Sequence, residues 1–418
     1  MNKKILISLV FFLYLQVFAQ NVIEDSLFTE AKFYYYTFNF DSAANYIERI
    51  IELNPYYAKA YDLYGDICRQ KGHYTKALEM YKKSIAIDST DLNVTRHIAT
   101  VQIDLGNLRT AIGILMDLIK KDDKVAEFYV DIGDATFKTG DTTKAIYYFS
   151  KAKALKSNLT LARVNLANMY LTKAQWQKGI DELLFVKMLD HWYPIQNFIK
   201  YGSIMAESEF KSWTEQQPNE SDAHYYYSFP LLYKYGIDEA LEEIEKAIEL
   251  NNQVEKYHLA EAILLYNIQE YEKVIDELKT YLNIYSDCWE CYNILAKTYL
   301  QLSDTSTALE YAKKSFNIDS TIFSSLVIIA ELYNRNKEYD LAIQFLNKAL
   351  NVQPDAFTTK LFYELAFAHY YLRDYKKAWG YANAANKICS LQGQGSLLNE
   401  NIREEINSLI TEIWKNMY

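Results

Sequence analysis

Residues that break or bend a backbone are scarce in this chain: 418 positions hold 12 glycines and 5 prolines. That leaves little room for strands, hairpins or long linkers and favours an all-helical reading. Cysteine is scarce too, at four, where a eukaryotic extracellular chain of this size usually carries more. Positive charge falls short: 44 Lys and Arg stand against 54 Asp and Glu, a net −10, with no basic stripe or tail to neutralise phosphates. A nucleic-acid partner is thereby disfavoured. The histidines (His73, His97, His191, His224, His258 and His369) are scattered, with no HExxH and no pair at ligand spacing. Walker loops, GxSxG elbows and a GxGxxG after a strand are all missing. No enzyme activity, no cofactor and no metal site is expected on these grounds, and the many carboxylates read as solvated helix surface.

Apolar residues, by contrast, make up half the chain, and tyrosine alone numbers 38. Their spacing is clearest in residues 58–91. Tyr61, Tyr64, Gly65 and Cys68 fall at three- and four-residue steps, which line up one face of a helix. Gly72 and His73 interrupt the run, and Tyr74, Ala77, Tyr81 and Ser84 resume it. The stretch reads as two helices joined by a turn. Gly65 and Ala77 let the backbones approach, and tyrosines fill the space around them. One such pair cannot bury its apolar face alone, so it needs neighbours on both sides. A core built that way grows linearly, and 418 residues then need not divide into two or three globules.

The neighbours recur every 34 residues. The first small position holds Ala31, Gly65, Ala99, Gly133 and Ala167; the second holds Ala43, Ala77, Ala111, Ala145 and Gly179. A second block in phase starts at Ser221, with Ser228, Ala262, Ala296 and Ala330, then Ala240, Val274, Ala308 and Ala342. Phe357 and Thr358 are inserted before a last unit marked by Ala366 and Ala378. The pattern resembles the tetratricopeptide repeat family, which shares the 34-residue period, the small eighth and twentieth positions and the aromatics around them. Val274 departs from it, and the family's closing proline appears only at Pro55 and Pro354. The resemblance implies an all-α, right-handed α-solenoid of about ten helix pairs. Five pairs would cover 24–193 and five more 221–392, with an irregular helical connector over 194–220 and a capping helix over 396–417.

In the connector Ile195, Phe198, Ile199, Met205, Phe210 and Trp213 keep helical steps up to Pro218, which predicts a long or Gly202-kinked helix in place of one pair. Gly393-Gln394-Gly395 predicts a turn into the tail. There Leu398, Ile402, Ile406, Leu409, Ile413 and Met417 form an apolar stripe, with Arg403, Glu404 and Glu405 off it. That is the pattern of a terminal cap, and a polar face without a basic bias argues against a membrane-surface helix.

At the N-terminus Lys3 and Lys4 precede an apolar run from Ile5 to Phe18, and Val17-Phe18-Ala19 ends it before Gln20. A positive region, a short apolar core and a small residue at the cut site predict a signal peptide over residues 1–19. The run is short for a spanning helix, which needs about 20 apolar residues. Cleavage after Ala19 removes two lysines and leaves a net −12. An uncleaved anchor is the alternative, and no cysteine follows the run to take a lipid. The expected location is the periplasm or envelope of a bacterial cell, with peripheral outer-membrane attachment or release, rather than the cytoplasm. Of the cysteines, Cys68 and Cys389 read as packing residues, too far apart along a rod to pair. Cys288 and Cys291 stand as Cys-Trp-Glu-Cys at a helix entrance. That spacing leaves a local disulfide, two packing thiols or a thiol redox pair open.

For function, the resemblance implies a non-enzymatic scaffold. In that family positions two, five, nine, twelve and thirteen of each first helix line a concave groove for peptides or partner helices. Carried onto this chain, they give an acidic arm of Asp62, Asp66, Asp104, Glu127 and Asp134, relieved by Arg69, Arg96 and Lys138. They also give an aromatic arm of Tyr225, Phe229, Tyr233, Tyr266, Tyr363, Phe367, Tyr370 and Tyr371. The family's clamp for a C-terminal carboxylate is not reproduced, since its places hold Phe28, Lys32, Leu63, Asn93 and His97. The expected partner is a protein or peptide, with a glycan as the alternative. Two readings stand for each arm. The rings either pack against the next repeat or offer contact area, and the carboxylates either keep the chain soluble or steer a basic segment.

Overall fold

A computed structural model describes residues 22–189, 195–352, 358–391 and 397–417. The predicted signal peptide, its Val17-Phe18-Ala19 cut site, Phe357 and the Gly393-Gln394-Gly395 turn lie outside these residues. The protein is an all-α solenoid, and among the described residues there is no strand. No described helix is long and apolar enough to cross a membrane.

Helices come in antiparallel pairs. Residues 22–36 form α1 and Phe40–Leu53 form α2. Then come Ala58–Gln70 (α3) with Tyr74–Ile87 (α4), and Leu92–Asp104 (α5) with Leu108–Lys121 (α6). Ala126–Lys138 (α7) pairs with Thr142–Leu155 (α8), and Thr160–Thr172 (α9) with Trp176–Leu189 (α10). Ile195–Gln216 (α11) stands alone. Ser221–Lys234 (α12) pairs with Ile237–Leu250 (α13), and Glu255–Asn267 (α14) with Tyr271–Leu282 (α15). Trp289–Gln301 (α16) pairs with Thr305–Ile318 (α17), and Phe323–Arg335 (α18) with Tyr339–Val352 (α19). Thr359–Tyr371 (α20) with Tyr375–Leu391 (α21) make the last pair, and Leu397–Met417 (α22) follows. Compactness divides the chain into residues 1–157 and 158–418. The first unit thus holds four pairs, and the fifth pair belongs to the second.

One turn geometry joins the two helices of nearly every pair. Phe38, Gly72, Gly106, Gly140, Ala174, Gln269, Ser303, Lys337 and Arg373 all have φ between 53° and 89°. The amide after such a residue reaches back to the carbonyl of the residue five before it, as from His73 to Cys68 at 2.8 Å and from Glu338 to Tyr333 at 2.8 Å. This closes the helix end and turns the chain in three residues. Entry to the next helix is capped by a side chain where the sequence supplies one: Asp141 accepts from the Lys144 amide, and Asp304 from the Thr307 amide. Between the two helices the small positions do what their spacing predicts. Ala31, Ala43, Ala77, Ala99, Ala111 and Ala145 are fully buried.

The lone helix α11 runs without a break through Gly202. The glycine serves a close approach, since a Cβ at Gly202 would lie 2.8 Å from Leu171 Cδ2 of α9. Phe210 is buried, and Trp213 stacks on Tyr226 with centroids 6.2 Å apart, whereas Met205 faces solvent.

Candidate functional site

In the first unit, the first helices α3, α5 and α7 touch in succession and bring the acidic positions onto one face. That face is a lattice of paired charges, in which each of the relieving cations Arg69, Arg96 and Lys138 meets a carboxylate. Arg69 Nε donates to Asp104 Oδ2 at 2.7 Å, Lys138 Nζ to Asp134 Oδ2 at 2.9 Å and Lys156 Nζ to Glu127 Oε1 at 3.2 Å. His97 Nδ1 lies 2.9 Å from Asp62 Oδ1 and 3.7 Å from Asp66 Oδ1. Arg96 faces Asp131 at 3.7 Å. Asp131 and the cation Lys156 were missed in the sequence because they sit outside the groove positions carried over. Burial pushes the Asp66 carboxyl up to about 6 against the pull of His97, and burial likewise takes Asp131 to about 6 against Arg96. Most of the lattice is partly exposed, where a pair contributes about 1 kcal/mol or less, so its members can exchange partners with a docked chain at low cost.

In the second unit the aromatic arm divides in two. Tyr225 and Phe229 are core residues, 2% and 5% exposed, which corrects their assignment to an open groove. The reason is α11. Lacking a partner helix, it brings Ala206 and Phe210 into one cluster with Tyr225, Phe229 and Tyr257. Tyr233 is half-buried and lines a cavity of about 40 Å³ with Leu184, Phe229, Ile244 and Leu264, and burial pushes its hydroxyl up to about 12. Tyr266 is half-buried against Tyr271, with centroids 5.6 Å apart.

The C-terminal part of the arm stays open. On α20, Tyr363, Phe367 and Tyr370 are half-buried and Tyr371 is 49% exposed. Phe367 and Tyr371 have centroids 4.7 Å apart, and Tyr339 of α19 stacks on Tyr371 at 5.1 Å with only 7° between the rings. Asn416 of α22 donates to the Tyr370 hydroxyl at 3.3 Å, so the tail helix borders the same patch.

Beside the rings is a polar cluster that the sequence reading passed over. Lys360 Nζ lies 3.0 Å from Glu331 Oε1 and 2.8 Å from Glu364 Oε1, and Arg335 joins Glu331 at 3.0 Å. Burial opposes the charge on Lys360, but Glu364 and Glu331 overcome it and raise its pKa. Asn334 donates to Glu364 Oε2 at 2.7 Å and to the Glu364 carbonyl at 3.0 Å, while its own Oδ1 is buried without a hydrogen-bond partner. A signal was available. Glu331, Asn334, Arg335 and Lys360 occupy groove positions nine, twelve, thirteen and two of their pairs. Only Glu364 falls outside that register.

The Cys288–Cys291 pair is a disulfide, with the two residues 4% and 0% exposed, a buried local link at the first turn of α16. Cys68 and Cys389 are buried.

Family models described as tetratricopeptide repeat match residues 58–91, 98–159, 290–322 and 323–356. No curated protein matches the chain. Among solved structures, yeast Tom70 is similar at 14% identity and a TM-score of 0.44, covering 95% of this chain and 97% of its own. MamA is similar at 19% identity and a TM-score of 0.31, covering 35% and 86%. YrrB, described as a TPR protein with an unusual peptide-binding site, is similar at 19% identity and a TM-score of 0.28, covering 49% and 92%. With helix pairs in a 34-residue register, an αL turn in nearly every pair and repeat matches in both units, the chain is a tetratricopeptide repeat protein.

Proposed function

We propose that the chain is an exported, non-enzymatic interaction scaffold, and that a protein or peptide segment docks on the ring patch of α20. Membership in a family of interaction repeats supports the scaffold role. The observation that carries the docking reading is the Tyr339–Tyr371–Phe367 platform. Its rings are held against one another, yet Tyr371 is half open to water. Aromatic area ordered before contact loses little rotamer freedom on binding, which is what a hot spot requires.

Export rests on the Lys3-Lys4 and Ile5–Phe18 pattern. The Cys288–Cys291 disulfide supports it, since such bonds persist in oxidising compartments. The test is crosslinked capture from the envelope fraction of the source cell, with Phe367→Ala/Tyr371→Ala beside the wild type. The variant is expected to recover at least about tenfold less of the wild-type partner at an unchanged melting temperature. Undiminished capture sinks the docking reading. In the same fraction the chain should begin at Gln20, and a cytosolic chain beginning at Met1 removes export alone. A glycan stacked on the near-parallel Tyr339 and Tyr371 rings is the second reading. Ionic strength separates the two: docking beside Lys360 and Arg335 weakens with salt, and sugar stacking hardly responds.

A further inference from the structure

Two carboxylates and one imidazole converge between α3 and α5. Asp62 and Asp66 are one helical turn apart, so both leave the same side of α3, and His97 reaches them from α5. Their donor atoms all lie within 4.8 Å of one another. His97 Nδ1 stands 2.9 Å from Asp62 Oδ1 and 3.7 Å from Asp66 Oδ1. The ring N–H bonds Asp62 alone, and Asp66 Oδ1, beyond its reach, takes the Tyr81 hydroxyl instead. A single cation bonded to all three atoms can serve both carboxylates. Metal–ligand bonds of about 2.0–2.2 Å place donors roughly 3–3.5 Å apart, so from separations of at most 4.8 Å side-chain shifts of under about 1 Å suffice.

The surrounding charges leave room for two more positive units. Arg69 is committed to Asp104 at 2.7 Å and reaches Asp66 only electrostatically, and Arg96 faces Asp131, so His97 is the cation in direct contact with Asp62. Nearby, Asp131 Oδ2 is sealed from solvent and receives no hydrogen bond, with its closest cation, Arg96, 3.7 Å away. A carboxylate in that state is stabilised by further positive charge in its neighbourhood. Tyr81 donates to Asp66 Oδ1 at 2.7 Å, the kind of outer contact that fixes a ligating carboxylate in place.

We infer that Asp62, Asp66 and His97 form a three-ligand site for a divalent transition metal of the zinc class, with its remaining positions open to water. One imidazole nitrogen among carboxylate oxygens suits zinc, cobalt or manganese better than calcium or magnesium, which favour all-oxygen shells. The other donor grouping among the described residues, Glu255 with Cys288 and Cys291, offers no comparable set because its sulfurs are bonded to each other.

The test uses the full mature chain, stripped of metal and carrying no histidine tag. It is titrated with Zn²⁺ alone by calorimetry and with Co²⁺ by visible absorption. One ion per chain is expected. Asp62→Asn and His97→Gln should weaken it by at least about 100-fold and remove the cobalt band, and Asp104→Asn should leave both unchanged. Asp62→Glu keeps the charge but moves the oxygen. It should also weaken binding if the ion is coordinated, and it decides the matter should circular dichroism show the other variants misfolded. A wild type with no stoichiometric site overturns the inference. So does a site that survives Asp62→Glu or both of the other substitutions, and the three residues are then a charge bridge only.

Discussion

At the scale of single residues, two positions sixteen apart in each of the first five pairs are matched in size. Gly65 faces Tyr81, and Gly133 faces Phe149. An added Cβ would lie 2.3 Å from the Tyr81 ring in the first case and 2.9 Å from the Phe149 ring in the second. Where the later position is aliphatic, as at Ile47, Leu115 or Leu183, the earlier one is alanine: Ala31, Ala99 and Ala167. The methyl group and the larger ring compete for one volume. Gly133→Ala is therefore expected to cost about 1–3 kcal/mol by overpacking, despite alanine's better helix propensity. In a Phe149→Leu background the same substitution should change sign and stabilise by up to about 1 kcal/mol, because the Ala99–Leu115 pairing is then reproduced. Urea midpoints of the four proteins close the cycle. A destabilising Gly133→Ala in both backgrounds would show that something other than the ring excludes the methyl.

At the scale of elements, the pair α14–α15 carries a buried titrating cluster. His258 gives Nδ1 to Glu277 and Nε2 to the Asn252 carbonyl at 3.0 Å. Both partners only accept while Glu277 is ionised, so the ring then needs a proton on each nitrogen. Burial opposes that charge, but Glu277 and the carbonyl overcome it and raise the His258 pKa. Glu261, pushed up to about 7 by burial first and by Glu277 second, holds its own proton in the folded pair. Both folded pKa values lie above the unfolded ones. Their stabilising share is therefore complete only below the unfolded values, 4.5 for the carboxyl and 6.5 for the imidazole, and is lost as pH rises through about 7. The melting temperature should accordingly lose this share between about pH 4.5 and pH 8, and Glu261→Gln should flatten the slope. The two curves should meet only below about pH 4.5, where Glu261 is protonated in both states and resembles glutamine, and the variant should be the more stable at pH 8. Parallel curves would place the titration elsewhere. Part of this was legible beforehand. The 34-residue register places the paired helices and the small residues between them because packing constrains those sites in all pairs alike. It also repeats the charged pair once: His224 and Glu243 stand 34 residues before His258 and Glu277, and His224 meets Glu243 at 2.6 Å and the Pro218 carbonyl at 2.8 Å. One pair later the same positions hold Tyr292 and Tyr311, so the repetition stops there. Asp62, Asp66 and His97 were each picked out by repeat position, but their convergence was not. A site shared between pairs has no short spacing to find, and the lone imidazole lies 35 residues from one carboxylate.

At the scale of the whole chain, periodicity runs unbroken through five pairs up to Tyr193, yet the compact units part between Ser157 and Asn158. Long-range contacts inside the second unit account for where its edge falls. Asn158, just before α9, donates to both the carbonyl and the hydroxyl of Thr321 at 3.1 Å, across 163 residues. Arg163 on α9 is bound to Glu182 at 2.6 Å, and it lies within electrostatic reach of Glu290 on α16, whose carboxyl burial pushes up to about 8. The fifth pair is thus tied to the eighth and ninth, a connection that no count of repeat positions reveals because it depends on how the stack curves. It also holds α11 through the contact of Leu171 with Gly202. A fragment of residues 158–418 is therefore expected to fold alone with one cooperative urea transition. A fragment starting at residue 195, the boundary that the connector suggests, removes the Thr321 partner, Arg163 and the support beneath α11. It should lose cooperativity first at α11–α12, read by hydrogen exchange as early exposure of residues 195–234. Equal protection of those helices in the two fragments would mean that α11 alone caps the remaining pairs and that the fifth pair is dispensable.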